Sequence, residues 1–290
     1  MNIICTSQAE HLGKLIEKKH KVRVFYSGKN LDGKRCFPDG EIYVSLPEIS
    51  KIKGRTVILH SGSPQPIEGL IELEIILNIL KNYNVGLLEI FFSYFAYAQQ
   101  DKIFFPGETV VSEDFIKKFI NFYGVKKIYV IDGHFSVCDW VKKYPIINIS
   151  ALDILKREAL EEFPSLMYLA PDMGSQKRNK IKGINKKRLN SFTTKFSKKN
   201  ILKKVRGQNV GVIDDLVETG GTLANFYDEC KKYKAKNVCA LITHGVLKKG
   251  MERINQKYSK VYITNSIKSK YTNVDISNLI MKNIIKNNGT

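Results

Sequence analysis

The sequence has no C-x-x-C pair, no apolar run long enough to cross a bilayer, no low-complexity linker and few acidic residues for its size. Its five cysteines, Cys5, Cys36, Cys138, Cys230 and Cys239, are odd in number and scattered. That argues against structural zinc and against a disulfide framework, and it fits a reducing compartment. Cys239 sits inside an apolar run and reads as core. The most apolar stretch, residues 85–98, contains Glu89 and falls short of the ~20 residues that span a membrane. Met1–Ala9 lacks the basic start and apolar stretch of a signal peptide. A soluble, cytoplasmic protein without a membrane partner is expected.

Asp plus Glu number 28 against 47 for Lys plus Arg, a formal net charge of +19. Such an excess suits anionic partners: nucleic acid, anionic lipid or phosphorylated metabolites. The lysines are spread over the whole chain, with one denser region from Lys177 to Arg206. No nucleic-acid-binding signature accompanies them, so no nucleic-acid partner is expected. Hydrophobic residues make up 43% and charged residues 26%, which is globular rather than disordered composition. A chain of 290 residues accommodates two units of ~100–150 residues each.

Short β-branched runs alternate with amphipathic stretches. The spacing predicts strands at Asn2–Cys5, Val22–Tyr26, Thr56–His60, Leu87–Phe92 and Lys127–Ile131, with helices at Ala9–Lys19, Ile67–Lys81 and Ser112–Tyr123. Ser112 before Glu113 and Asp114 reads as an N-cap. A second series follows. Its strands are Ile146–Ile149, Leu166–Leu169, Val210–Ile213, Val238–Ile242 and Lys260–Ile263. Its helices are Leu152–Glu162, Leu223–Lys232, Lys249–Gln256 and Ile276–Ile285. Alternation of this kind predicts an α/β chain with parallel sheets wrapped by helices. Two domains are expected, 1–143 and 144–290, the last helix being a candidate to pack back on the first.

The strongest motif follows the apolar strand Val210–Ile213. It reads Asp214-Asp215-Leu216-Val217-Glu218-Thr219-Gly220-Gly221-Thr222 and then enters a helix. Gly220 and Gly221 allow tight or left-handed backbone and close approach to a ligand. The hydroxyls of Thr219 and Thr222, with the free N–H groups at a helix start, suit a phosphate dianion. Asp214 and Asp215 can accept from vicinal sugar hydroxyls. Donors for a phosphate beside carboxylates for a sugar make a pentose-phosphate site.

This segment resembles the phosphoribosyl-diphosphate signature shared by type I phosphoribosyltransferases and ribose-phosphate pyrophosphokinases. Further segments, in order from about Phe37 to Ser266, resemble the pyrophosphokinases, with some archaeal character near Gly107-Glu108. Phe37-Pro38-Asp39-Gly40-Glu41 is similar to the segment that holds adenine across a subunit contact. Tyr97-Ala98-Gln99-Gln100-Asp101-Lys102 is similar to the ATP-binding Tyr-Ala-Arg-Gln-Asp run, with Gln99 where the family carries arginine. His134, in Ile131-Asp132-Gly133-His134, matches the histidine beside Mg²⁺-ATP. Asp172, in Ala170-Pro171-Asp172-Met173-Gly174-Ser175, matches the aspartate that serves a second metal and the sugar. Asn185-Lys186-Lys187-Arg188 matches the start of a mobile catalytic loop. Thr243-His244-Gly245 and Thr264-Asn265-Ser266 match two later signatures.

The resemblance implies two tandem type I phosphoribosyltransferase-like domains and an enzyme that moves the diphosphoryl group of ATP onto ribose 5-phosphate. It implies catalysis by Lys186, Arg188 and His134, and ATP binding by Phe37, Asp39, Gly40, Glu41, Gln99, Gln100 and Asp101. Ribose 5-phosphate falls to Asp214, Asp215, Glu218, Thr219, Gly220, Gly221, Thr222 and Arg188, and Mg²⁺ to His134 and Asp172. A homodimer or higher homo-oligomer is implied as well. Two other readings stand beside it: a non-catalytic regulatory relative, which Gln99 favours, and a phosphoribosyltransferase of nucleotide salvage.

Overall fold

A computed structural model describes residues 1–179, 186–188, 194–196 and 199–286, with the backbone alone at 186–188, 194–196, 199 and 200. The chain divides into two compact units. One comprises Met1–Ile149, Ser266–Lys268 and the C-terminal residues from Ser277; the other comprises Ser150–Asn265 and Ser269–Ile276.

The first unit is built on six strands: β1 (Asn2–Cys5), β2 (Val24–Tyr26), β3 (Thr56–Ser61), β4 (Leu88–Tyr94), β5 (Lys127–Ile131) and β6 (Ile146–Ile149). Their order is β2-β1-β3-β4-β5-β6, and every pairing is parallel. Every residue of β3 and β4 is buried. Such strands are mostly apolar because a parallel sheet is covered on both faces, with His60, Ser61, Glu89 and Ser93 among the buried polar exceptions. Ile146–Ile149, which follows the sequence boundary at 143, pairs with β5 as the last strand of this sheet. The helices are α1 (Glu10–His20), α2 (Pro66–Asn82), α3 (Val111–Asn121) and a C-terminal helix, Ser277–Lys286. Pro66 opens α2, where a missing N–H is harmless, and Leu73, Ile76, Leu77 and Leu80 sink into the core.

Ser112 does not cap α3. The helix starts at Val111 with Val110 as its cap residue and no side-chain cap hydrogen bond. The Ser112 hydroxyl is buried and donates instead to the carbonyl of Gln100 at 3.0 Å.

Two buried polar groups matter for stability. Arg55 forms a two-pronged pair with Glu89, Nε to Oε1 at 2.9 Å and Nη2 to Oε2 at 2.7 Å. Nη2 also donates to the Ile284 carbonyl at 3.0 Å, fixing the C-terminal helix to the sheet. His60 on β3 lies 3.0 Å from Thr6 Oγ1 and edge-on to Phe92. Burial lowers its pKa to about 3. The folded chain therefore keeps His60 neutral while the unfolded chain takes up a proton below about pH 6.5. Stability contributed by the neutral ring is complete above that pH and declines as pH falls toward 3. Urea midpoints are expected to drop from pH 7 to pH 5 with a His60-specific slope approaching ~1.4 kcal/mol per pH unit. In His60→Gln that component should vanish; an equally steep pH dependence there would refute it.

The second unit runs through α4 (Leu152–Glu162), β7 (Met167–Leu169), α5 (Met173–Asn179), β8 (Lys186–Arg188), β9 (Thr194–Phe196), α6 (Lys199–Lys203), β10 (Asn209–Val217), α7 (Gly221–Lys232), β11 (Asn237–Gly245), α8 (Lys248–Lys257) and β12 (Lys260–Ile263). Its main sheet is parallel, ordered β12-β11-β10-β7, and β8 and β9 form a separate antiparallel ribbon. Alternate residues of β10 serve opposite faces, as a pleated strand requires. Val210 and Val212 join Leu223, Phe226 and Ile254, whereas Ile213 joins Leu155, Leu241 and Tyr262. Among the described residues no helix is long and apolar enough to cross a membrane.

Candidate functional site

β10 ends at Val217 and α7 begins at Gly221, so Glu218, Thr219 and Gly220 form the whole connection. The sequence pattern stops this strand at Ile213, but the ladder continues. Asp214 lies opposite Ile242, Leu216 opposite His244 and Val217 opposite Gly245. The long neighbour β11 supplies backbone partners that override the poor strand propensity of aspartate. Asp214 and Asp215 are thus held inside the strand and buried. The same register brings Thr243, His244 and Gly245 alongside this part of β10.

The turn itself is fixed by backbone crowding. Gly220 has φ of +70°, a conformation that costs other residues energy. A Cβ on Gly220 would lie 2.9 Å from the Gly250 carbonyl oxygen, and one on Gly250 would lie 1.9 Å from that of Glu218. Turn and α8 therefore meet main chain to main chain. Gly221 is different. The nearest atoms to a Cβ there are Arg253 Nη1 at 3.7 Å and Thr219 Oγ1 at 3.8 Å. Arg253 donates from Nη1 to the Thr219 carbonyl at 2.9 Å. The first N–H groups of α7 and its positive dipole end thus adjoin a hydroxyl and a guanidinium without crowding, the chemistry that receives a phosphate.

Three carboxylates gather beside the turn. Asp172 follows β7, and Asp214 and Asp215 lie on the adjacent strand β10. The backbone N–H of Ser175 donates to Asp172 Oδ1 at 2.9 Å, and its buried hydroxyl donates to the Ile213 carbonyl at 2.8 Å. Ser175, a departure from the glycine of the resembling stretch, thereby ties the start of α5 to β10. Arg178 Nη2 donates to Asp215 Oδ1 at 2.7 Å and lies 4.0 Å from Asp214 Oδ1. Asp215 donates its own N–H to Asp214 Oδ1 at 3.1 Å. Burial above all, then the negative charge of Asp215 and Asp172, raises the Asp214 pKa well above the usual carboxylate range, against the pull of Arg178.

In the first unit, the candidate nucleotide segments leave the carboxyl ends of the neighbouring strands β4 and β5, where ligands of parallel sheets bind. Tyr97 (φ 62°) and Asp132 (φ 37°) both hold left-handed backbone. For a bulky residue this is an outlier, and such positions gather at functional sites. Gln99 and Gln100 are exposed, Asp101 is half-buried, and His134 opens a 3-10 turn, His134–Val137. Lys102 lies with Nζ 4.8 Å from the ring centroid of Phe104. Phe37–Glu41 is the tip of a small hairpin. Phe37 N–H donates to the Glu41 carbonyl at 2.8 Å, and Glu41 N–H to Asp39 Oδ1 at 3.1 Å. Gly40 supplies the left-handed turn with φ of +94°. Phe37 is 44% exposed, touching Tyr43 only edge-on with centroids 5.7 Å apart.

Lys186 and Arg188 lie on β8, pairing with Phe196 and Thr194 of β9; their side chains, and Asn185, lie outside the described residues. The sequence reading did not single out Arg178, Arg253 or Gly250. Arg178 stood in a basic stretch with no apolar periodicity to reveal α5, and the other two act through contacts distant in sequence.

Residues 1–124 match a family described as the N-terminal domain of ribose phosphate pyrophosphokinase. The ribose-phosphate pyrophosphokinase of Burkholderia pseudomallei is 30% identical over 225 residues, 74% of this chain and 70% of that protein. The enzyme of the same name from Pyrococcus furiosus is 29% identical over 290 residues, 94% of this chain and 97% of that one. Among solved structures, phosphoribosylpyrophosphate synthetase from Mycobacterium smegmatis shares the fold over 100% of both chains, with a TM-score of 0.82 and 21% identity.

Proposed function

Because the chain belongs to the ribose-phosphate pyrophosphokinase family, we propose that the residues described above carry that family's reaction. The protein transfers the diphosphoryl group of ATP to the anomeric hydroxyl of ribose 5-phosphate, giving phosphoribosyl diphosphate and AMP. Its two units are type I phosphoribosyltransferase-like domains in tandem, each a parallel sheet flanked by helices. The observation that carries the residue assignment is the uncrowded helix start at Gly221, edged by Thr219 Oγ1 and Arg253 Nη1, that follows the buried pair Asp214 and Asp215 along the chain.

One substrate is assigned to each unit. The 5-phosphate sits on the N–H groups and hydroxyls of Thr219, Gly220, Gly221 and Thr222, with Arg253 at its edge, and Glu218 leads the chain into that turn. Asp214 and Asp215 receive the vicinal hydroxyls, oriented by Arg178. ATP is held by Gln99, Gln100 and Asp101. The exposed hairpin tip with Phe37, Asp39, Gly40 and Glu41 receives adenine from a second copy of the chain, which makes the active form a homodimer or larger. A cytoplasmic setting supplies both substrates.

In the reaction the anomeric oxygen bonds to the β-phosphorus while the bond from that phosphorus to the AMP oxygen breaks. The hydroxyl proton passes to solvent. The protein's part is to position the reactants and to neutralise charge. Lys186 and Arg188 stabilise the charge spreading over the transferred group, and His134 contacts the nucleotide phosphates.

The residues present fit Mg²⁺. Asp172, Asp214 and Asp215 set three carboxylates against the guanidinium of Arg178, and the charges of Asp215 and Asp172 add to burial in raising the Asp214 pKa. Among the described residues no group of three or more metal-ligating side chains forms a protein-only site. Mg²⁺ takes one or two carboxylates plus substrate phosphates rather than a protein-only cage. Asp172 would hold one ion and His134 would stand beside the other. When bound, Mg²⁺ polarises phosphoryl oxygens as a Lewis acid.

Incubation with ATP, Mg²⁺ and ribose 5-phosphate should yield AMP and phosphoribosyl diphosphate in equal amounts by phosphorus NMR. Lys186→Ala should lower kcat by roughly 10²-fold or more while KM for ATP changes by a few-fold at most. An unchanged kcat would remove Lys186 from the chemistry, and no AMP from the wild type would overturn the reading.

A further inference from the structure

The connections leaving β4 and β5 are stitched together by side chains to which the reaction assigns no role. Cys138 Sγ lies 3.3 Å from Asp101 Oδ2 and 3.9 Å from the Asp101 carbonyl oxygen. Trp140 donates its indole N–H to that carbonyl at 3.1 Å. One residue earlier, the Gln100 carbonyl accepts from Ser112 N–H at 3.2 Å and from the Ser112 hydroxyl at 3.0 Å. Donors from α3 and from the turns after β5 therefore converge on residues 100–101.

The direction of the sulfur contact follows from its chemistry. Burial, then the hydrogen bond to Asp101, raises the Cys138 thiol to about 12. At neutral pH the sulfur carries its proton, and an ionised carboxylate can only accept. Cys138 is thus a donor that fixes one oxygen of Asp101. A thiol is a weak donor, so it directs the carboxylate without neutralising it. Trp140 is itself immobilised, buried against Phe135 at 5.1 Å and Tyr144 at 6.2 Å between ring centroids.

We propose that Cys138 and Trp140 are positioning residues for the nucleotide, holding the Asp101 carboxylate and the backbone of Gln99–Asp101 in the orientation that meets ATP. They join that segment to the turn that begins with His134, so the two ATP-contacting connections of the first unit move as one body. Freezing Asp101 before ATP arrives lowers the ordering cost of binding. This inference rests on the reading of Gln99–Asp101 as the nucleotide segment.

The test uses a reporter already in place, since Trp140 is the chain's one tryptophan. Its emission is titrated with α,β-methylene ATP plus Mg²⁺, a nucleotide whose scissile bridge does not react, and calorimetry supplies an independent Kd. The wild type should show saturable binding that shifts the emission. Cys138→Ala should weaken binding by about fivefold, the loss of one modest hydrogen bond to a charged group. Cys138→Ser, which keeps a donor, should recover most of it. In steady state the Cys138→Ala loss should fall on KM for ATP, with kcat and KM for ribose 5-phosphate held within about twofold. Asp101→Asn serves as the second variant, and its effect should not add to that of Cys138→Ala. Binding in the wild type with the same Kd in Cys138→Ala, or additive losses in the double variant, would overturn the positioning role alone. A wild type that binds no nucleotide would overturn the reading of the segment together with the inference.

Discussion

Arg178→Met is expected to destabilise the protein by about 3–5 kcal/mol and to abolish measurable affinity for ribose 5-phosphate. Arg178 and Asp215 form a 2.7 Å ion pair in which the side chains are only 11% and 3% exposed. Removing one partner of such a pair leaves the other as an uncompensated buried charge, which costs that much. Here the penalty is compounded, because Asp214 and Asp172 already crowd the same site with negative charge. Methionine keeps the apolar stem of arginine as far as Nε, so the change removes chiefly the charged end. Urea unfolding at pH 7 measures the loss. The double variant Arg178→Met with Asp215→Asn should recover most of the stability while staying inactive, since the carboxylate that Arg178 pairs at 2.7 Å is then neutral. A double variant as unstable as the single one would show that Arg178 acts by packing.

Gly250→Ala should lower kcat/KM for ribose 5-phosphate by on the order of 10²-fold, the effect of displacing a positioning group by about 1 Å. A Cβ at this position lies 1.9 Å from the Glu218 carbonyl oxygen, and neither main-chain segment can rotate away as a side-chain tip would. The turn before α7 has to shift, and the phosphate contacts shift with it. Gly221→Ala separates binding from folding. Its Cβ meets nothing closer than 3.7 Å, so the fold should survive with a melting temperature near that of the wild type, while the methyl group crowds the helix start assigned to the phosphate and KM rises. If Gly221→Ala binds ribose 5-phosphate normally by calorimetry, the phosphate is held elsewhere.

Much of this architecture was written locally. Asn2–Cys5, Lys127–Ile131, Ile146–Ile149 and Lys260–Ile263 are strands at the predicted bounds, and Leu152–Glu162 is a helix at its predicted bounds. In each, an apolar run or stripe ends against polar residues, so the boundary is a property of the segment itself. What was not legible depends on partners far along the chain. Asp214–Val217 extend a strand because β11 is there to pair with them. Met173–Asn179 is a helix without an apolar period, placed by Ser175 reaching Ile213. The acid pair, the glycine turn and the candidate nucleotide residues could be named from their chemistry and order. The groups that hold them, Arg178, Arg253, Gly250, Cys138 and Trp140, could not, because nothing in a linear pattern reports which side chain a carboxylate or carbonyl will meet.

The reach of Arg55 to the Ile284 carbonyl bears on how the chain is made. The first unit takes its C-terminal helix, with buried Ile280, Met281 and Ile284, from beyond the whole of the second unit. The hydroxyls of Ser61 and Ser93 likewise wait for the carbonyl of Ser266, at 3.2 and 2.8 Å. A ribosome emits the opening 149 residues long before those partners exist. Vectorial synthesis thus leaves an early half-structure that lacks its C-terminal helix, a span in which chaperones have work to do.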